Sequence, residues 1–162
     1  MYDTSLFSEN ERIKGLLQLV DFEKAFDSIS WKFLTNCLMN LGFGRNFVRW
    51  IKTFNEGVFA SVLQCGFLLE PIKVARGCRQ GDPIAPYLFI ICSLFLSQLI
   101  DQNKTIKGIK LRGGEIKITQ FADDTTIFLN GTESSLQEAL NIIEIFGSYS
   151  GLKMNKEKSE LI

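Results

Sequence analysis

Residues 118–129 read ITQFADDTTIFL: two runs rich in β-branched and aromatic residues, separated by Asp123-Asp124. Such runs favour strands, and Asp favours the tight turn between them. The segment therefore predicts a hairpin with two carboxylates at its tip. Adjacent carboxylates repel each other, and a divalent cation relieves the repulsion. Oxygen ligands of this kind suit Mg²⁺. A plain solvated turn would carry the same residues, so the pair decides nothing until the rest of the chain is read.

Upstream, Leu16–Phe22 is a short apolar run that ends beside Asp21. It predicts a buried strand delivering a third carboxylate. Ser30 is placed to cap a helix carrying Leu34, Leu38 and Leu41 on one face, with Gly42 as its stop. A second helix should follow, with Phe47, Trp50, Ile51 and Phe54 inward and Gly57 after it. Val58–Cys65 and Phe67–Val74 can pair as strands. Residues 77–89, GCRQGDPIAPYLF, join a glycine-rich polar loop to an apolar helix over about Pro86–Leu99. Glycines permit close backbone approach, a helix start offers free N–H groups, and Arg79 and Gln80 can bind anions or amides. Ile109–Leu111 and Ile116–Phe121 flank Gly113-Gly114 as a hairpin. Leu136, Ala139, Leu140, Ile143 and Phe146 share a helical face, and Lys153–Ile162 should form a turn and a last strand. Strands and helices mixed without regular βαβ alternation predict an α+β fold.

The composition narrows the chemistry. The 162 residues hold no histidine, which excludes His-based triads and His-ligated zinc. Cys37, Cys65, Cys78 and Cys92 form no CxxC pair and read as reduced core residues, as in a cytosolic or nuclear protein. Residues 1–14 are polar and unlike a signal peptide. The most apolar stretch, Leu88–Leu96, is too short to span a bilayer and predicts a buried helix. Lys+Arg and Asp+Glu both number 18, so the net charge is zero. A nucleic-acid ligand would then depend on local clusters such as Lys104, Lys107, Lys110 and Arg112.

Four segments carry a family resemblance: DFEKAFDS (Asp21–Ser28), GCRQGDPIAPYLF, FADD (Phe121–Asp124) and GLKMNKEKS (Gly151–Ser159). They occur in the order of the reverse-transcriptase signature blocks, and the chain resembles the polymerase of non-LTR retrotransposons of the long interspersed element type from about Leu16 onward. The resemblance implies the palm of a right-hand polymerase, a ferredoxin-like antiparallel sheet with helices on one face, plus part of the fingers. It implies one partial domain over 1–162: a finger remnant and first strand over about 1–20, then palm with finger elements, with thumb and endonuclease absent.

By position, the resemblance implies that Asp21, Asp123 and Asp124 are catalytic and hold two Mg²⁺ ions, with Mn²⁺ as a possible substitute. It makes Phe22, Phe26, Arg79, Gln80 and Gly81 nucleotide-binding, Phe26 being the steric gate under the incoming sugar. Gln80, Phe121 and Ala122 would contact primer or template. Lys158 would protonate the departing pyrophosphate, a role that Lys153 or Lys156 could also fill. Asp27 fits the motif without an assigned role. The implied reaction adds deoxynucleotides from their triphosphates to a DNA primer 3′-hydroxyl on an RNA template. The implied setting is the nucleus or cytoplasm, with no membrane partner and the oligomeric state open.

Two ions about 3.5–4 Å apart stabilise the attacking and leaving oxygens, which requires Asp21 and Asp123 within roughly 10 Å of each other. An RNA-making palm would place a polar or acidic residue at position 26, and a non-enzymatic RNA-binding sheet would expose aromatics on its strands. A second expectation is a truncated, inert fragment that keeps the palm and binds nucleic acid weakly.

Overall fold

A computed structural model describes residues 15–111 and 113–162. The polar N-terminal stretch, with its finger-remnant assignment, and Arg112 lie outside the described residues. The elements in order are β1 (Leu16–Val20), α1 (Ala25–Ser28), α2 (Trp31–Asn40), α3 (Arg45–Asn55) and β2 (Phe59–Ala60). They continue with β3 (Leu63–Gln64), β4 (Phe67–Leu68), β5 (Ile72–Lys73), α4 (Ala85–Gln102) and β6 (Ile109–Leu111). The last are β7 (Gly114–Ile116), β8 (Ile118–Phe121), β9 (Asp124–Leu129), α5 (Glu133–Ser150) and β10 (Glu160–Leu161). The chain divides into two compact units, both entered by α4 and α5. Of the described residues, one comprises 15–22 with Leu96–Ile145 and Met154–Ile162; the other comprises Glu23–Phe95 and Phe146–Lys153.

The first unit is built on a four-stranded antiparallel sheet in the order β10-β1-β9-β8. Side chains alternate between faces along a strand. Gln18 and Val20 therefore share a buried face with Thr125, Ile127 and Leu129. Gln18 is tolerated there because its amide donates to the carbonyls of Leu19 and Glu160. Behind this face, the Ser97 hydroxyl meets the Gln120 side chain. The expected strand Ile116–Phe121 is broken at Lys117, which lies between β7 and β8 and whose carbonyl accepts from the Phe128 N–H of β9 at 2.8 Å. The Lys117 ammonium donates to the carbonyls of Asp101 and Asn103 at the end of α4, 3.0 and 2.7 Å away. This satisfies carbonyls that a helix end leaves open and separates β7 from β8.

In the second unit, Ser30 caps α2 by accepting from the Phe33 N–H at 3.4 Å, and Gly42 follows the helix with φ +80°. Leu34 and Leu38 are buried, as are Val48 and Ile51 of α3. The expected inward direction of Trp50 and Phe54 is wrong: they are 59% and 63% exposed. At about 100° per residue, Val48 and Ile51 define the buried arc, and Trp50 and Phe54 fall on its far flank. Strands β2–β5 form a two-stranded ribbon, with Phe59 opposite Lys73 and Leu63 opposite Leu68. The ribbon turns at Cys65-Gly66, where both residues have positive φ, as a type I′ turn requires.

Helix α4 runs to Gln102, further than the sequence suggested, and by length and composition it could cross a membrane. One continuous stripe of it, Ala85, Leu88, Phe89, Cys92, Leu96 and Ile100, is packed inside the protein.

Three of the four cysteines are buried, but Cys65 is exposed at the ribbon tip, contrary to its expected place in the core. Burial, together with the nearby Asp82 carboxylate, pushes the Cys78 thiol up to about 11. The Cys92 thiol is raised as well, first by its hydrogen bond with Cys37 and then by burial. Thiolate is the reactive form, so a thiol reagent at neutral pH should label Cys65 rapidly and the other three only after unfolding. Mass spectrometry of the labelled native chain checks this; rapid labelling of Cys92 would contradict the packing.

Candidate active site

The β1–β9 ladder runs from the pair Leu16–Leu129 to the pair Val20–Thr125. Asp21 follows directly after this last pair on one strand, and Asp124 precedes it on the other. Phe121 pairs with Asp124, leaving Ala122-Asp123 as the two-residue loop of the β8–β9 hairpin. Ala122 takes φ +53°, the sign a type II′ turn needs at its first loop position. Asp21 and Asp124 thus lie at the same end of the ladder, with Asp123 beside Asp124 in the turn. All four residues from Phe121 to Asp124 are exposed, Phe121 by 83%.

The last segment of the chain is tied to Asp21 through the backbone. The Asp21 N–H donates to the Ser159 hydroxyl at 3.1 Å, and its carbonyl accepts from the Asn155 N–H at 2.8 Å. Phe22, which is buried, forms a bridge with Met154. The Asn155 side chain accepts from the N–H groups of Glu157 and Lys158, shaping the turn between them. Lys158 is therefore brought next to Ser159, the residue in contact with the Asp21 backbone. Ser159 and Asn155 were not singled out from sequence; their role is a backbone contact between distant segments, which no local pattern announces.

The three carboxylates share one end of one sheet. Among the described residues, no three ligating side chains already converge as a metal cluster. The donor set is nonetheless all hard oxygen, which suits Mg²⁺ bound through one or two carboxylates plus substrate phosphates.

In the second unit, the end of the DFEKAFDS segment, from Glu23 on, interlocks with GCRQGDP. The Cys78 N–H donates to the Phe26 carbonyl at 2.7 Å, and the Trp31 indole donates to the Gly77 carbonyl at 2.8 Å. A Cβ on Gly77 would lie 2.7 Å from the Asp27 carbonyl oxygen, and its φ is +91°. The first glycine of the loop thus permits close approach of protein backbone. Gly81 has φ +87° and open space around it, which leaves its backbone free to meet a ligand. The Gln80 amide donates to both carboxylate oxygens of Asp27, at 3.3 and 3.4 Å. Asp27 therefore holds the side chain of Gln80, a function that sequence reasoning missed because the partners are 53 residues apart. Arg79 donates to the Phe54 carbonyl at 2.9 Å, so its guanidinium serves the end of α3. Phe26 is half-buried and stacks on Phe89 with ring centroids 4.6 Å apart.

Residues 5–162 match the family described as reverse transcriptase (RNA-dependent DNA polymerase). The chain belongs to the reverse transcriptase family. This reverse transcriptase domain is 33% identical to the Pol polyprotein of the type-2 retrotransposable element R2DM of Drosophila melanogaster, over 86% of the chain and 13% of the polyprotein. It is 31% identical to the Pol polyprotein of the type-1 element R2 of Nasonia vitripennis, over 91% of the chain and 14% of that protein. These relatives make it a reverse transcriptase domain of the non-LTR retrotransposon type. In structure it is similar to telomerase from Candida albicans, solved with a fragment of telomeric RNA, with a TM-score of 0.71 and 15% identity. That match covers 99% of this chain and 28% of the telomerase chain, and the likeness supports a reverse-transcriptase fold. The domain therefore spans a small share of each of these larger proteins.

Proposed function

We propose that the chain carries out template-directed nucleotidyl transfer, adding deoxynucleotides to a primer 3′-hydroxyl on an RNA template. The single observation that supports this reading is the β1–β9 register, whose last pair, Val20–Thr125, is flanked by Asp21 on one strand and Asp124 on the other, with Asp123 in the adjoining turn. In this reading the four-stranded sheet is the palm, and Asp21, Asp123 and Asp124 would hold divalent cations, Mg²⁺ first. Bound there, such ions would lower the pKa of the primer hydroxyl and neutralise the triphosphate.

The chain's own residues have distinct tasks. Asp27 orients Gln80, whose amide is thereby fixed for contact with nucleotide or template. Gly81 keeps the loop backbone accessible. The segment after Asn155 supplies Lys158, the proposed proton donor to pyrophosphate. Phe26 is the proposed gate below the sugar.

Primer extension on an RNA template tests the reading. The purified chain should extend a DNA primer with deoxynucleotides in Mg²⁺ and stop when EDTA is added. A folded chain that binds RNA but never extends would favour the inert-fragment reading.

A further inference from the structure

We propose that the outward face of α3 is a binding platform for single-stranded RNA, formed by Arg45, Arg49 and Lys52 with Trp50 and Phe54. The inference rests on the reading of the chain as a template-using polymerase, and it adds a contact surface on an element of the second unit that carries none of the carboxylates. Helix α3 has 11 residues, RNFVRWIKTFN, with three cations and no acid, in a chain whose net charge is zero. At about 100° per residue, Arg45, Arg49 and Lys52 form one stripe. Trp50 and Phe54 form another on the opposite flank, and the small polar residues Asn46 and Thr53 lie between. All seven side chains are exposed, while Val48 and Ile51 bury the helix's fourth side.

Exposed rings are common on protein surfaces, so the rings alone decide nothing; the row of cations beside them selects the partner. A membrane-lying helix inserts a continuous apolar face, but the apolar face of α3 is already spent inside its unit. What remains is a row of phosphate-binding cations beside two rings, the combination that grips single-stranded nucleic acid by charge and base stacking. A few nucleotides can run along a helix of this length, roughly 16 Å.

The site also carries its own reporter. The chain has two tryptophans; Trp31 is half-buried and hydrogen-bonded to Gly77, whereas Trp50 is 59% exposed. The experiment titrates the purified chain with a short fluorescein-labelled single-stranded RNA of mixed sequence in EDTA, so binding is read apart from nucleotidyl transfer. RNA should quench tryptophan fluorescence, and Trp50→Phe should abolish the quench. Trp50→Leu and Phe54→Leu should each weaken binding by roughly 5- to 100-fold. The triple variant Arg45→Ala/Arg49→Ala/Lys52→Ala should reduce the slope of log K against log salt by about 2. The triple variant Lys32→Ala/Lys73→Ala/Arg76→Ala, equal in charge but elsewhere in the same unit, should leave most of that slope in place. Equal losses from both triples would show a net-charge effect and overturn the proposal. So would an unchanged quench in Trp50→Phe, or tight binding of α3 to phosphatidylserine vesicles without RNA binding. If RNA binding obeys α3 while Mg²⁺-dependent extension fails, the polymerase reading falls and the platform stands.

Discussion

Replacing Asp123 by Asn should lower primer extension by a factor on the order of 10³ or more, with little change in unfolding temperature. Asp123 lies exposed in the β8–β9 turn, and Asn is at home in turns, so the fold has no reason to suffer. The substitution exchanges a hard anionic oxygen for a neutral amide, a poorer ligand for Mg²⁺. Asp21→Asn should be equally damaging. Its backbone contacts to Ser159 and Asn155 remain intact in the variant, so a loss of rate there cannot be ascribed to displacement of the last segment. Asp124→Asn should cost less and be relieved in part by raising Mg²⁺. The check is extension rate over a Mg²⁺ titration, alongside thermal unfolding. If all three variants extend at the parent's rate, the carboxylates are a solvated turn and a strand end, and the catalytic reading fails.

The parts of this site that could be read from the sequence are those written in local patterns. ITQFADDTTIFL alternates and turns, and LLQLV runs apolar up to Asp21, so strand, turn and carboxylates were legible together. The chemistry set the expectation that Asp21 and Asp123 lie within roughly 10 Å of each other; the register leaves Asp124 as the residue of β9 nearest in sequence to the last pair with β1, and no local signal couples residues about a hundred positions apart. Other features escaped for identifiable reasons. Aromatic content suggested that Trp50 and Phe54 point inward, but the helical period assigns burial to Val48 and Ile51. Ile116–Phe121 looked continuous because nothing in its composition records that the Lys117 ammonium is held at the end of α4. Cys65 looked like a core residue until Cys65-Gly66 proved to be a two-residue turn. Asp27 lacked a role because its partner, Gln80, belongs to a different signature block.

Sugar selection offers the sharpest test of the DNA-making assignment. Phe26 follows Asp21 by five residues and sits in the short helix α1, stacked on Phe89. In the proposed mechanism its ring forms the floor below C2′ of the incoming nucleotide. A ribose hydroxyl against that ring would lose water without gaining a partner, at a cost of about 1–3 kcal/mol before any steric clash, or roughly ten- to a hundredfold in rate. Phe26→Val should therefore raise ribonucleotide incorporation relative to deoxynucleotide incorporation by about that factor. The stack on Phe89 complicates the readout, because removing it also loosens the unit's core. Phe89 is 1% exposed, so Phe89→Leu perturbs the same packing without altering the proposed floor. The expected pattern is a shift in sugar preference for Phe26→Val and none for Phe89→Leu, measured as the ratio of kcat/KM for matched ribo- and deoxynucleoside triphosphates. A uniform loss with both sugars in both variants would make Phe26 a packing residue, and choice of sugar would then have to be sought elsewhere in the chain.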